Sequence, residues 1–337
     1  MRFSSLVGND RIKRSLRRAV VEDRIRQSVI MAGPDGVGKH QFALALAQAV
    51  NCEKPVDGDA CGSCLACRKI ERNEHPDVKT ILREIKDPDS KKEATSQFIK
   101  IGQMRQMSSE AQFRPYIGRR RVFIIDEAEW LREDAQSAIL KTLEEPPETS
   151  LPILITSKPY ALMETIRSRC LMLSFAPLTV AEIESHLKLA SKQTAAEIAM
   201  IARLARGSLG RAFEIELEKY REKRGTVLEM LESMALAKDS ARLMAAAEFL
   251  GRKLEREQFQ DHLDVLNAVL FDVFHLKVGE PADSLVNADV AQRLQRIADA
   301  VRPEQIIEWA EKIQEILLSL ARNVSRQLAM ESMLIKA

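Results

Sequence analysis

The sequence predicts an α/β protein: a parallel sheet built around a phosphate loop, with a metal module inserted behind the loop and an all-helical remainder. Three observations carry this. A short apolar run, Ser28–Ala32, leads into Gly33-Pro-Asp-Gly-Val-Gly-Lys39-His40, and strong helix formers follow from Gln41 to Val50. Two further apolar runs, 121–125 and 151–155, end in Asp126-Glu127 and Thr156-Ser157, as strands delivering polar residues to a cleft would. Four cysteines, Cys52, Cys61, Cys64 and Cys67, follow the loop at spacing C-x8-C-x2-C-x2-C.

Taken in order, Ile12 to Val21 is a basic amphipathic helix, and 28–32 is the first buried strand, followed by loop and helix. The run 121–125 is a second strand. Asp134 to Glu145 has helical spacing and stops at Pro146-Pro147, where proline cannot continue the helix. The run 151–155 is a third strand, so strands and helices alternate, which implies a parallel sheet. After Pro177 the strand signals fade. Thr179–Ala190 reads as a capped helix and 194–206 as another, ending at Gly207. From Arg211 onward the periodicity is helical, broken near Gly279-Glu-Pro281 and Arg302-Pro303, with Leu, Met and Ala at core spacing. Nothing in that last third resembles a catalytic cluster, and its reading is structural or oligomeric.

The 337 residues suffice for two or three domains, and 45% hydrophobic content excludes disorder as the default. Charged residues make up 30% but the net charge is only +2, so the total makes no case for wholesale nucleic-acid binding. No apolar run is long enough to span a bilayer, and no hydrophobic leader is visible, so the expectation is a cytoplasmic protein with no membrane partner.

In reducing cytosol the cysteines are expected to bind zinc and not to form disulfides. Four thiolates at short separation fill a tetrahedral Zn²⁺ and leave no open position, so Cys52, Cys61, Cys64 and Cys67 read as a structural site. The alternative, unrelated buried thiols, fits poorly with a segment rich in Pro55, Gly58, Asp59, Gly62 and Ser63, which has too little apolar content to order itself without a cross-link.

In the phosphate loop, Gly33, Gly36 and Gly38 allow backbone amides at a helix N-terminus to cradle phosphate, with Lys39 adding charge. That points to ATP with Mg²⁺. Asp126 is placed to hold the Mg²⁺ and Glu127 to orient or deprotonate an attacking water; the alternative role of the pair is to solvate a strand end. Thr156 or Ser157 is placed to hydrogen-bond a γ-phosphate. His40 breaks the pattern, standing where a hydroxyl should ligate Mg²⁺, and imidazole is a poor ligand for that hard cation. Nucleotide binding stays open; efficient hydrolysis is not expected. Arg169, in Ser168-Arg-Cys170, is either a surface cation or an arginine finger reaching a neighbour's ATP.

The ordered set formed by the phosphate loop, the cysteine cluster, His75-Pro-Asp-Val78, Val122-Phe-Ile-Ile-Asp-Glu-Ala-Glu129, Leu143-Glu-Glu-Pro-Pro147 and Ser168-Arg-Cys170 resembles the bacterial replicative clamp-loader subunits of the AAA+ class. The resemblance covers residues 1 to about 215 by motif and the remainder by architecture. It implies an AAA+ domain with zinc module at 1–175, a small helical lid at 176–215 and a helical collar at 216–337. It also implies assembly with tau/gamma and delta subunits into a hetero-pentameric ring that loads a sliding clamp onto primed DNA. Within the family, His40 and Gly207-Ser-Leu-Gly-Arg211 look like the delta-prime branch, with Arg211 displaced by one; the tau/gamma motor is the runner-up, and a free-standing AAA+ ATPase the alternative outside the loader. The delta-prime resemblance makes Arg169 the finger for a neighbouring tau/gamma site and the chain itself a weak ATPase or none. It also makes the basic segment Arg114, Arg119, Arg120 and Arg121 a candidate contact to the DNA backbone, with a solvated loop as the alternative.

Overall fold

The computed structural model describes residues 1–83, 98–237, 240–320 and 325–335. Its contacts divide the chain into two units, residues 1–191 with 205–213, and residues 192–204 with 214–337.

The first unit is built on five parallel strands, β1 (Val29–Ala32), β2 (Val78–Ile81), β3 (Arg121–Ile125), β4 (Ser150–Thr156) and β5 (Leu171–Ser174), in the order β2-β3-β4-β1-β5. The three strands read from the sequence are the buried centre of the sheet. The two edges, β2 and β5, were not read as strands: β2 interleaves Lys79 and Thr80 with Val78 and Ile81, and β5, although residues 171–173 are apolar, is largely exposed and lacks the buried-strand setting of the centre.

Side chains alternate across the pleat. Val29, Met31, Ile124 and Ile153 face one way, onto α1 (Asp10–Val21) and α2 (Lys39–Asn51). Ile30, Phe123, Ile125 and Leu154 face the other way, with Met104 of α4 (Ile101–Ala111) and Ile139 of α5 (Glu133–Glu144); α3 (Leu65–Glu71) belongs to the cysteine module. The short α6 (Glu164–Arg167) precedes β5, and α7 (Val180–Ala190) follows it. Thr179 and Glu182 form the capping box that starts α7, with Thr179 Oγ1 accepting from Glu182 N.

The second unit is helical: α8 (Ala195–Leu204), α10 (Leu217–Glu232), α11 (Ser240–Glu248), α12 (Arg256–Lys277), α13 (Ala291–Ala300), α14 (Pro303–Ser319) and α15 (Arg326–Ile335), while α9 (Leu209–Glu214) begins in the first unit. Leu231, Phe259, Leu266, Val269, Ile297, Trp309 and Ile313 form its core. The turn after α12 is fixed by a buried polar network. Asp272 accepts from Val286 N, Asn287 N and Asn287 Nδ2, and Asn287 Oδ1 accepts from Tyr220 and Arg224.

Candidate nucleotide and metal sites

The phosphate loop leaves β1 at Gly33, whose N–H donates to the Thr156 carbonyl (3.2 Å), so the loop is fastened to the carboxyl end of β4. Open parallel sheets bind ligands at this end of the strands. Gly36 has φ +73°, a conformation that disfavours a side chain, and its carbonyl accepts from Gly210 N (3.1 Å) at the start of α9. A Cβ at Gly36 would meet Ser208 Oγ at 2.0 Å.

The cationic and acidic residues of the site are engaged with one another. Lys39, 6% exposed, donates to the Gly33 carbonyl (2.5 Å) and the Pro34 carbonyl (2.7 Å) of its own loop. Burial pushes its ammonium below the ordinary lysine range, while Asp35, Glu129 and Asp126 act in the opposite direction. His40 Nδ1 lies 2.8 Å from Asp126 Oδ2, so the imidazole sits on the carboxylate that would hold Mg²⁺. Glu127, in a left-handed conformation at φ +51°, is gripped by Arg83 through Nε to Oε2 (2.6 Å) and Nη2 to Oε1 (3.0 Å). The Arg83 guanidinium also stacks over Trp130. Both carboxylate oxygens are occupied by the arginine fork, so Glu127 is poorly disposed to orient a water.

Thr156 is buried, and its Oγ1 accepts from Lys158 N (3.0 Å). Ser157 Oγ donates to Glu129 Oε1 (2.7 Å). Burial pushes the Glu129 carboxyl up, but hydrogen bonds led by the one from Ser157 bring it net below the usual carboxylate range. The structure thus gathers Gly33, Gly36, Gly38, Lys39, His40, Asp126 and Thr156 at one end of the sheet and turns Glu127 toward Arg83. Sequence reading missed Arg83, which sits in no motif, and Glu129, visible only as the last acid of the run 126–129.

Arg169 lies beyond α6, half-buried. Its Nε is 3.1 Å from Glu144 Oε2 and its Nη1 donates to the Thr165 carbonyl (3.1 Å).

The four cysteine sulphurs all lie within 4.8 Å of one another, with Cys52 and Cys67 buried and Cys61 and Cys64 at the rim. Four sulphurs around one tetrahedral ion would stand about 3.8 Å apart at a metal–sulphur distance of about 2.3 Å, and the Cys52–Cys64 separation is 4.0 Å. Backbone N–H groups of Cys61, Cys64 and Cys67 point at the sulphurs of Cys52, Cys61 and Cys64. The cluster could hold a metal ion.

Two buried acceptors organise the surrounding loops. Asp77, fully buried, accepts from the N–H groups of Tyr116, Ile117 and Gly118 (2.7, 2.9 and 2.8 Å), and Asn51 Oδ1 accepts from Arg119 N and Arg120 N. Within the basic segment, Arg120 pairs with Asp23 and bonds the Ile25 carbonyl, while Arg121 bonds the carbonyls of Glu110 and Arg114 and stacks over Tyr116. These two guanidiniums point inward; Arg114 and Arg119 are exposed.

The family profile described as DNA polymerase III, delta subunit matches residues 8–179, and the profile of its C-terminal domain matches residues 218–337. The chain belongs to the DNA polymerase III delta subunit family. It is 26% identical to the delta' subunit of Bacillus subtilis (strain 168), over 96% of this chain and 94% of that one, and 25% identical to the delta' subunit of Pseudomonas aeruginosa, over 91% and 90%. DNA polymerase III subunit tau of Escherichia coli (strain K12) is 34% identical over 63% of this chain, which spans only 32% of tau. The homology to delta' subunits is therefore full-length, whereas that to tau is partial. Among the described residues, no helix is long and apolar enough to cross a membrane.

Proposed function

We propose that the chain acts as the delta-prime, non-motor subunit of a replicative clamp loader. In this reading it joins tau/gamma and delta subunits in a hetero-pentameric ring that places a sliding clamp on primed DNA. The AAA+ domain is residues 1–175, the lid 176–215 and the collar 216–337. One observation carries the reading beyond homology: His40 sits on Asp126, where a motor subunit needs a hydroxyl and a free carboxylate for Mg²⁺.

Cys52, Cys61, Cys64 and Cys67 hold zinc, which supplies a cross-link for a segment too polar to order itself. The phosphate loop retains the glycines and Lys39 for nucleotide, but Lys39 must leave the Gly33 and Pro34 carbonyls to reach a phosphate. Arg169 acts outside its own subunit: swung from Glu144, its guanidinium reaches the γ-phosphate of a neighbouring tau/gamma site and stabilises the charge that develops during transfer.

The test is assembly. Purified chain mixed with the tau/gamma and delta subunits of its source should form a stable complex that loads clamps, and omission of the chain should abolish loading. A complex that assembles and loads equally well without it would overturn the proposal.

A further inference from the structure

The cysteine module does more than stabilise itself. Asp59, between Cys52 and Cys61, accepts from Phe3 N (2.9 Å) and Ser4 N (3.0 Å), as well as from its neighbour Ala60 N. It is 6% exposed, and it reaches across 55 residues of sequence to hold the single 3-10 turn Phe3–Ser5. Gly58 beside it has φ +74°, and a Cβ there would lie 2.1 Å from the Arg17 carbonyl, so the module is seated directly on α1.

The segment that Asp59 fixes forms one wall of a pocket. Phe3 is fully buried against Phe42, with ring centroids 6.4 Å apart, and Phe42 packs edge-on against Phe175. Leu6 and Val7 line a cavity of about 320 Å³ beside the phosphate loop, whose other walls include Val37, Phe42, Leu178 and Phe213. At its far end the segment is tied by Asn9, whose side chain exchanges two hydrogen bonds with the Ala176 backbone. Residues 3–9 therefore run as a strap from the cysteine module to the entry of α7, sharing a pocket with Gly36–Gly38 of the loop. Between these ends Lys13 Nζ donates to the Leu6 carbonyl (3.0 Å), so the Asp59 contacts are the segment's polar link to the cysteine module.

We propose that Asp59 is a positioning residue coupling the cysteine module to the apolar pocket beside the phosphate loop, so that the metal state of the module sets the order of the pocket wall. This goes beyond a structural role for the metal, because the consequence appears at the N-terminal end of α2, where Gln41 and Phe42 line the pocket, whereas Cys52 caps its C-terminal end.

Hydrogen exchange read by mass spectrometry on the full chain tests it, with metal content measured alongside. In Asp59→Ala, peptides covering residues 3–7 and 37–42 should exchange about tenfold faster or more, as expected when a local opening becomes easy. Residues 151–155 should stay protected, and bound zinc should be unchanged. Chelator treatment of the unaltered chain should give the same pattern together with exchange around 52–67. Unchanged protection of residues 3–7 in Asp59→Ala would overturn the proposal, as would opening of 3–7 with no change at 37–42. Should Asp59→Ala lose its sheet protection as well, the chelated unaltered chain decides: an opened cysteine loop with residues 3–7 still protected rejects the coupling. A chain containing no zinc would refute the metal reading and leave the Asp59→Ala comparison to decide the positioning role.

Discussion

His40 Nδ1 and Asp126 Oδ2 are 2.8 Å apart, joining the first turn of α2 to the end of β3. On the proposed reading, imidazole in place of a hydroxyl offers Mg²⁺ no oxygen ligand and engages the carboxylate that would hold it.

His40→Thr should free Asp126 and restore a hydroxyl. We expect ADP affinity to become Mg²⁺-dependent by about tenfold, equivalent to ~1.4 kcal/mol, whereas the unaltered chain should bind equally well with and without EDTA. Turnover should remain negligible until Arg83→Ala also releases Glu127. Isothermal titration and a phosphate-release assay read both arms, and robust hydrolysis by the unaltered chain, abolished in Lys39→Ala, would contradict the non-motor reading.

Arg169→Ala should leave fold and ring assembly intact while lowering clamp-dependent ATP hydrolysis by the complex. An arginine finger contributes on the order of 10³-fold or more at its own site, but other sites in the ring would mask much of that in a bulk assay. Lysine should rescue poorly, because it keeps the charge without the planar fork. Clamp loading at the unmodified rate by an Arg169→Ala complex would return this residue to a surface role beside Glu144.

Protein purified without chelators should contain about one zinc per chain. Cys64→Ser should lose the metal and render residues 52–71 sensitive to protease while the central strands stay folded. Absence of zinc by metal analysis would refute the assignment.

Asp77→Asn should lower unfolding free energy by ~2 kcal/mol or more, since three backbone donors lose a charged acceptor. Burial raises the Asp77 pKa, but the N–H groups of Ile117, Gly118 and Tyr116 outweigh it and hold the folded value below 3.8. The folded pKa is depressed, so this contribution is fully present above the unfolded value of 3.8 and is lost as pH falls from there through the folded value. Chemical denaturation across that window should therefore show a shallower acid loss for Asp77→Asn than for the unaltered chain.

The parts legible in the sequence were those whose signal is local. The phosphate loop, the cysteine spacing and the apolar runs of β1, β3 and β4 each lie within a few consecutive residues. The capped start of α7 was equally visible, because Thr179 and Glu182 are three apart. What escaped depends on distant partners. Arg83 meets Glu127 across 44 residues, and Asp77 meets the backbone near Gly118 across about 40. The edge strands escaped for another reason, since β2 mixes polar with apolar residues and β5 is largely exposed.

The inward turn of Arg120 and Arg121 limits what the segment 114–121 can offer to a polyanion. Counted by sequence it carries four cations, but only Arg114 and Arg119 face solvent. Each phosphate neutralised on duplex DNA contributes about −0.9 to the slope of log affinity against log salt concentration. This loop can therefore account for a slope of roughly −1.8 and no more. A steeper salt dependence for DNA held by the assembled ring would have to be carried by cations elsewhere in this chain or on its neighbours.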